Sequence, residues 1–393
     1  MRRCLSVAWL AASICCASSA GAEGLEPYQM MRSLQLLQDR IADGDHAALP
    51  MQRSLIAIID KRLRAADAAE FENPLNLNAL LVYGASGGNP ATLDQIVSGL
   101  ELDDNQRRLS DGLIQYARGD LAAAREKLTE IDLSTVDPEL AAPLALVIGS
   151  LLAQQAPSQA LELFDRARLV SPGTLIEEAA LRRSIALSAE LRDAARFTLA
   201  SRQYVSRFLR SPYASQFAEA FVAGVIALHD EIEPAVIEEV AAAMRPDQAH
   251  VVYLRIARQS AIEGYDQLLA FAADNAEKYA GWGAESDPRG VLYRNIALVS
   301  SENVRDVLDA LQAIDERRLS ANDRKLLNAA TEIAQDILAP PRAGRDVSPQ
   351  QAAFSGGEAP ASLPADDALN EAFVEKTRQT LRTIDALIAE ERP

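Results

Sequence analysis

Residues 113–128 read LIQYARGDLAAAREKL, and this stretch decides the fold that the sequence predicts. Gly119 and Asp120 form a short turn between two apolar segments, and Ala124 is followed four residues later by Leu128. A small residue such as Ala124 lets two paired helices approach, while a large residue such as Leu128 fills the space between them. This pattern is typical of the helical pair of a tetratricopeptide repeat.

The same pattern returns after about 36 residues. Residues 151–167 read LLAQQAPSQALELFDRA, with Ala160 and Phe164 as the small and the large residue. Pro172 lies where the motif often ends, and a third, looser pair closes at Pro212. Because stacked repeats bury one another's apolar faces, the sequence predicts an all-α, tetratricopeptide-like solenoid of helical hairpins. A compact helical bundle without a groove is the alternative.

Helical signals continue outside these two pairs. Apolar residues recur at spacings of three and four, as in Leu34, Leu37 and Ile41, which is typical of amphipathic helices. The composition agrees, because hydrophobic residues make up 49% of the chain and aromatic residues only 5%. A capping side chain before a proline predicts a helix start at three places: Asn89-Pro90, Asp137-Pro138 and Ser211-Pro212.

Residues 1–22 have the three parts of a secretory signal peptide. Arg2 and Arg3 form a positive start, residues 5–17 an apolar run, and residues 20–22 an A-x-A cleavage site. All three cysteines lie inside this segment: Cys4, Cys15 and Cys16. We therefore expect an exported mature protein that begins near Glu23 and contains no cysteine. Lipid attachment at one of the last two cysteines is the alternative.

The formal charge of the chain is −17, and it becomes −19 once Arg2 and Arg3 leave with the signal peptide. Such a surface repels phosphate backbones, which argues against nucleic acid as a partner. No stretch after the signal approaches about 18 uninterrupted apolar residues. We therefore expect a soluble mature chain without an integral membrane segment.

The sequence predicts three segments after the signal peptide. Residues 23–338 form the helical repeat domain, and residues 339–365 are rich in proline and glycine, as expected of a flexible linker. Residues 366–391 return to helical periodicity as a C-terminal amphipathic helix. An isolated helix of this length is marginal in water, so it is expected to dock on its own domain or on a partner.

Side chains that could carry catalysis are isolated. His46, His229 and His250 form no cluster at metal-ligand spacing. Residues 84–90 look superficially like a phosphate loop, but they lack the Gly-Lys-Ser/Thr ending, so we interpret them as a helix end followed by a new cap. Adjacent carboxylates diverge on a helix and are expected to face solvent at Asp103-Asp104, Glu177-Glu178 and Glu238-Glu239. The sequence predicts no catalytic, cofactor-binding or metal-binding residue.

One basic segment contrasts with the acidic background. Seven arginines lie between residues 182 and 210, against only Glu190 and Asp193. Tyr204 and Phe208, four residues apart, add an apolar stripe. We expect this surface to bind an acidic partner or an anionic envelope component, and intramolecular ion pairing is the alternative. The candidate partner-binding residues are Arg182, Arg183, Arg202, Tyr204, Arg207, Phe208 and Arg210.

Several blocks of the chain resemble the MotC family of periplasmic flagellar-motor proteins from rhizobia and related bacteria. The resemblance is densest at IEEAALRRS (176–184), which follows PGT (172–174), and at SPYASQFA (211–218), which follows RFL (207–209). Shorter blocks are EPYQ (26–29), RSLQ (32–35), GDH (44–46), MQR (51–53), IDKRL (59–63), SGGNPATL (86–93) and YLRIAR (253–258). The resemblance covers residues 26–338.

The resemblance implies a role in flagellar rotation and no enzymatic activity. MotC-like proteins are thought to act in the periplasm on the periplasmic part of a MotB-like stator component and to influence motor coupling or speed. A periplasmic chaperone, MotE, is associated with the family. Two other functions remain open from the residues themselves: a generic helical-repeat adaptor of the bacterial envelope, and a cell-wall hydrolase.

Overall fold

The structure, a computed structural model, describes residues 25–280 and 287–339. The predicted signal peptide, the C-terminal helix and all of the linker except Ala339 lie outside these residues. Within them the secondary structure consists of seventeen α-helices and two short 3-10 helices, without strands. The predicted all-α class is confirmed.

The α-helices, in chain order, are α1 (Pro27–Ala42), α2 (Ala48–Arg64), α3 (Pro74–Ala85), α4 (Pro90–Val97), α5 (Asp104–Arg118), α6 (Leu121–Leu128), α7 (Pro138–Leu152), α8 (Pro157–Val170), α9 (Leu175–Glu190), α10 (Ala194–Arg207), α11 (Ala214–Ala227), α12 (Pro234–Ala242), α13 (Pro246–Glu263), α14 (Asp266–Lys278), α15 (Pro288–Ala297), α16 (Val304–Gln312) and α17 (Ala321–Leu338). The 3-10 helices are Ala68–Glu72 and Glu316–Arg318.

The first two predicted repeats are the hairpins α5–α6 and α7–α8. Their small residues Ala124 and Ala160 and their large residues Leu128 and Phe164 are all buried. Each large residue fits against a glycine in the first helix of its own hairpin. Leu128 lies on Gly112, and a Cβ added to Gly149 would come within 2.7 Å of the Phe164 ring. The hairpins therefore close through the packing that the repeat pattern predicts.

The third hairpin, α9–α10, has the same kind of turn but reverses the order of sizes. Arg192 adopts a left-handed φ of 56°, and the Asp193 side chain caps α10 by accepting the Arg196 amide at 2.9 Å. Four residues after this cap the chain has Phe197 instead of an alanine, and four residues later it has Ser201 instead of a large residue. Phe197 is buried against Gly224 of α11, the next helix.

Two of the predicted helix starts are confirmed and one is wrong. Asn89 and Asp137 cap α4 and α7, each accepting a backbone amide two residues ahead, at 3.0 and 2.9 Å. Ser211 does not cap a helix directly. Its hydroxyl accepts the Tyr213 amide at 3.2 Å in a turn, and α11 begins at Ala214.

The interior contains two main hydrophobic cores that meet at α9. Ala180 and Leu187 face a largely aliphatic core built by α1 to α8, whereas Leu181 and Ile185 face a core that extends to α17. The second core contains a series of aromatic rings from α10 and α11, described below. Because α9 is packed from both sides, its polar side chains are enclosed, and this position determines the chemistry of the candidate site.

Among the helices of residues 25–280 and 287–339, none is long and apolar enough to span a membrane.

Candidate partner-binding site

The first turn of α9 carries two carboxylates that are buried. Thr174 caps the helix by accepting the Glu177 amide at 3.3 Å. The Glu177 side chain turns back and accepts the Gly173 amide and the Arg207 guanidinium, each at 2.5 Å. Glu177 is only 3% exposed. The expectation that Glu177 and Glu178 face solvent is therefore wrong, because the neighbouring helices enclose this turn.

Glu178 is fully buried and joins three helices. Its Oε1 accepts a hydrogen bond from the Tyr204 hydroxyl of α10 at 2.8 Å. It also accepts one from Nε of Arg182, which lies on α9 like Glu178, at 3.1 Å. Arg182 continues to Gln216 of α11, to which it donates a hydrogen bond of 2.6 Å. Burial raises the pKa of Tyr204, and the adjacent charge of Glu178 raises it further. The phenol therefore stays protonated as a donor to the carboxylate.

Tyr204 and Phe208 do not form an exposed apolar stripe, so their prediction as partner-binding residues is wrong. Both are at most 1% exposed. The Tyr204 ring stacks on Phe217 of α11 with centroids 4.2 Å apart, and Phe208 lies 5.8 Å from Tyr204. The rings of Phe197 and Phe221 continue the stack at 5.7 Å. The burial arises because α11 supplies its own aromatic residues to this face.

Most arginines of the basic segment pair with the protein's own acids. Arg202 donates to Glu239 at 2.6 Å. Arg192 donates to Asp230 at 2.7 Å and also binds the Ala227 carbonyl at 2.7 Å. Together with the Arg182 and Arg207 pairs, these contacts favour the intramolecular alternative for the segment. They leave few of its charges for a partner.

Arg183 and Arg210 differ from these arginines, because neither forms an ion pair with any of the described residues. Arg210 is exposed, and its backbone supports the turn at Gly44. Gly44 has a φ of 98°, and a Cβ added there would lie 2.7 Å from the Arg210 carbonyl oxygen. Arg183 instead points into a groove.

The groove is a cavity of about 340 Å³ against α9. The first helices of successive hairpins line it, together with glutamines of α1 and α2. Its lining contains apolar, polar and charged side chains. The apolar ones include Val82, Leu146, Val147, Ile176 and Ala179, the polar ones are Gln35, Gln38, Gln52, Ser86 and Tyr116, and Arg183 is the only charged one. Such a lining suits a ligand with apolar groups and one charged group.

The three histidines occupy exposed or structural positions. His46 is exposed in its turn, His229 stacks on Tyr265 at 3.7 Å, and His250 lies 2.9 Å from the Ala276 carbonyl oxygen. Residues 84–90 form the end of α3 and the cap of α4, as predicted. No group of three or more potential metal ligands occurs among the residues that the structure describes.

Four of the sequence blocks that resemble the family lie around α9 and its neighbours. The turn at residues 44–46 packs on Arg210. The block at 176–184 is joined to the block at 207–209 by the Arg207–Glu177 pair and to the block at 211–218 by the Arg182–Gln216 hydrogen bond. The sequence grouped these arginines into one candidate surface. It did not distinguish the arginines that hold the helices together from Arg183, which faces the groove.

Comparison with known proteins gives the same family at every level. The profile of the family described as "Chemotaxis protein MotC" matches residues 1–393. A curated relative, "Chemotaxis protein MotC" of Rhizobium meliloti (strain 1021), is 39% identical over 351 residues, which cover 89% of this chain and 77% of the relative.

Proposed function

This chain belongs to the MotC family, and on that premise we propose that it is a periplasmic accessory protein required for flagellar rotation. The family is one of chemotaxis and motility proteins, and this membership supports a role in the motor. The finer proposal is that the chain binds the periplasmic part of a MotB-like stator component and influences motor coupling or speed.

The observation that carries this proposal is the family match over the whole chain. A helical-repeat fold supports it, because stacked hairpins present extended surfaces and grooves that suit protein partners. The signal-like sequence of residues 1–22 supports export. A MotE-like periplasmic chaperone is a further proposed partner, during folding of the exported chain.

Deletion of the gene tests the motor role. Cells should assemble flagella that do not rotate, and a plasmid copy should restore swimming. Normal swimming of the deletion strain would refute the role and favour a generic envelope adaptor. Fractionation of the complemented cells tests the location, since the mature chain should be recovered from the periplasm with its N-terminus near Glu23.

Crosslinking in motile cells tests the partner. A purified complex should contain the MotB-like stator protein, and its absence would also favour the adaptor. The third function, a cell-wall hydrolase, predicts release of fragments from purified cell wall. We expect no release, and any cleavage that depends on a single carboxylate would contradict the non-enzymatic assignment.

A further inference from the structure

Arg183 is a charged side chain in an otherwise uncharged groove. Its Nη1 donates to the Ser150 hydroxyl at 2.7 Å, and that hydroxyl in turn donates to the Leu146 carbonyl at 2.6 Å. Burial lowers the pKa of Arg183, although a guanidinium keeps its charge under all ordinary conditions. The charge is therefore largely desolvated by the fold. Its hydrogen bond goes to a neutral hydroxyl, and the Glu178 carboxylate attracts it only from beyond ion-pair distance.

Arg183 differs from the adjacent Arg182 in having no counter-ion within ion-pair distance among the described residues. Arg182, one residue earlier on α9, has the buried Glu178 as its counter-ion. Arg183 has no carboxylate partner among residues 25–280 and 287–339, and one of its five N–H donors is used by Ser150. Enclosing a cation costs free energy unless it is paired. A carboxylate that enters the groove can accept two of the remaining donors in parallel.

The walls determine what can surround such a carboxylate. Pro143, Leu146, Val147, Ile176 and Ala179 present aliphatic surface next to Arg183. The volume of about 340 Å³ is at the lower end of the usual range for ligand pockets and accommodates a few side chains. A phosphate-rich ligand would need more cations than this lining offers.

We propose that this groove binds a peptide segment of a partner protein in which one Asp or Glu, flanked by apolar side chains, pairs with Arg183. The apolar neighbours pack on Ile176, Ala179 and the α7 wall. The inference rests on the proposed function only for the identity of the partner, since the chemistry of the segment follows from the groove.

A selection that requires no knowledge of the partner tests the groove. The full mature chain is used to select from a phage-displayed library of random twelve-residue peptides. The selected peptides should share one acidic residue within an apolar sequence. Their affinity should fall about ten- to hundred-fold in Arg183→Gln, as expected for loss of a charge-assisted pair. Arg183→Lys should retain part of the affinity.

Two matched variants separate the groove from the rest of the surface. Arg245→Gln removes an arginine whose partner, Asp247, lies outside the groove lining, and it should leave the affinity unchanged. Ala179→Trp fills the groove and should abolish binding. Circular dichroism and the melting temperature establish that each variant is folded. If Arg183→Gln fails to fold, Ala179→Trp and replacement of the peptide's acid by its amide provide the same test.

Three results would overturn the proposal: no enriched peptides, enriched peptides without an acid, or equal binding by folded Arg183→Gln. A peptide of residues 366–391 is included in the binding assays, and exclusive binding of that peptide would also overturn it. The purified stator domain is assayed separately. If the stator domain binds equally well to the wild type and to Arg183→Gln, the proposed function stands, but the groove is rejected as the binding site. If peptides bind in an Arg183-dependent way and the stator domain does not bind, the groove stands as a peptide site, but the stator component is rejected as the partner.

Discussion

The hairpins α5–α6 and α7–α8 differ from the hairpin α9–α10 in where they place their large side chain. In the first two, Leu128 and Phe164 insert against a glycine of the same hairpin. In the third, Phe197 inserts against Gly224 of the following helix. The same kind of contact closes a hairpin in one region and joins neighbouring hairpins in the other. An exchange of one large and one small position is therefore enough to redirect the packing of a repeat.

The third hairpin also carries polar groups in its interior. The Tyr204 ring lies in the aromatic stack, and its hydroxyl needs an acceptor, which Glu178 supplies at 2.8 Å. In α7–α8, the Phe164 ring has no hydroxyl and makes no such demand. The aromatic region is thus held by both apolar contacts and a buried carboxylate, and the two contributions can be measured separately.

The largest expected effect on stability comes from removing the Phe197 ring, which packs on the following helix. Phe197→Ala should lower the free energy of unfolding by about 3–5 kcal/mol, because it leaves a cavity between α10 and α11. Urea denaturation followed by circular dichroism measures the change. Leu199→Ala on the same helix is the control, since Leu199 is half exposed and should cost within about 0.5 kcal/mol. Equal effects of the two changes would contradict the packing described here.

Tyr204→Phe keeps the ring stack and removes only the hydroxyl. It should lower the free energy of unfolding by about 1.5–3 kcal/mol, because the bond to a buried carboxylate is lost. Tyr253→Phe is the matched control. Tyr253 is also buried, but its hydroxyl has no hydrogen-bond partner in the part of the chain that the structure describes. A Tyr204→Phe protein as stable as the control variant would indicate that Glu178 does not need this donor.

Gly224→Ala tests the contact between hairpins directly. The added methyl group meets the Phe197 ring and should cost about 1–3 kcal/mol of unfolding free energy. In the Phe197→Ala background the same change should cost almost nothing. Thermal denaturation of the wild type, the two single variants and the double variant gives the coupling free energy between the two positions. Gly290→Ala, where nothing lies within 4 Å of the new methyl group, should be neutral or stabilising. Additive effects of the two substitutions would disprove the contact.

The smallest effect is expected at the exposed ion pairs. Arg202→Gln should cost about 0.2–1 kcal/mol at low salt, because its pair with Glu239 is solvated and roughly half of each side chain is exposed. The difference from the wild-type protein should shrink further in 1 M salt, which screens surface charges. A larger, salt-independent loss would indicate that this pair contributes to packing in the way that Glu178 does.

The helical class and the first two hairpins were predictable because their signals are local. The turn at Gly119 and Asp120 and the pair Ala160 and Phe164 are readable within one stretch of sequence. The third hairpin read as looser because Phe197 finds its small partner in α11, outside the repeat in which the motif is defined. A search for a large residue followed by a glycine one helix later would have recovered it.

The candidate site was only partly predictable, for reasons of environment. Arg182 and Arg183 are adjacent and chemically identical in the sequence, yet one meets Glu178 and the other the groove. Tyr204 and Phe208 resemble an exposed stripe because they stand among arginines. The signal that was missed is the aromatic pair Phe217 and Phe221 on the next helix, which has the same four-residue spacing. The final helix and the linker stay predictions.

The left-handed turn at Arg192 has a mechanical consequence. Its guanidinium binds the carbonyl of Ala227, the last residue of α11, and the side chains of Asp230 and Glu231 in the segment that follows, all within 2.8 Å. Rotation of the third hairpin against α11 must break these bonds together, so this side chain adds to the stiffness of a joint that the Phe197 and Tyr204 rings also hold. Gly119 shows that glycine accepts the same backbone conformation. Arg192→Gly would therefore keep the turn while making the joint more compliant.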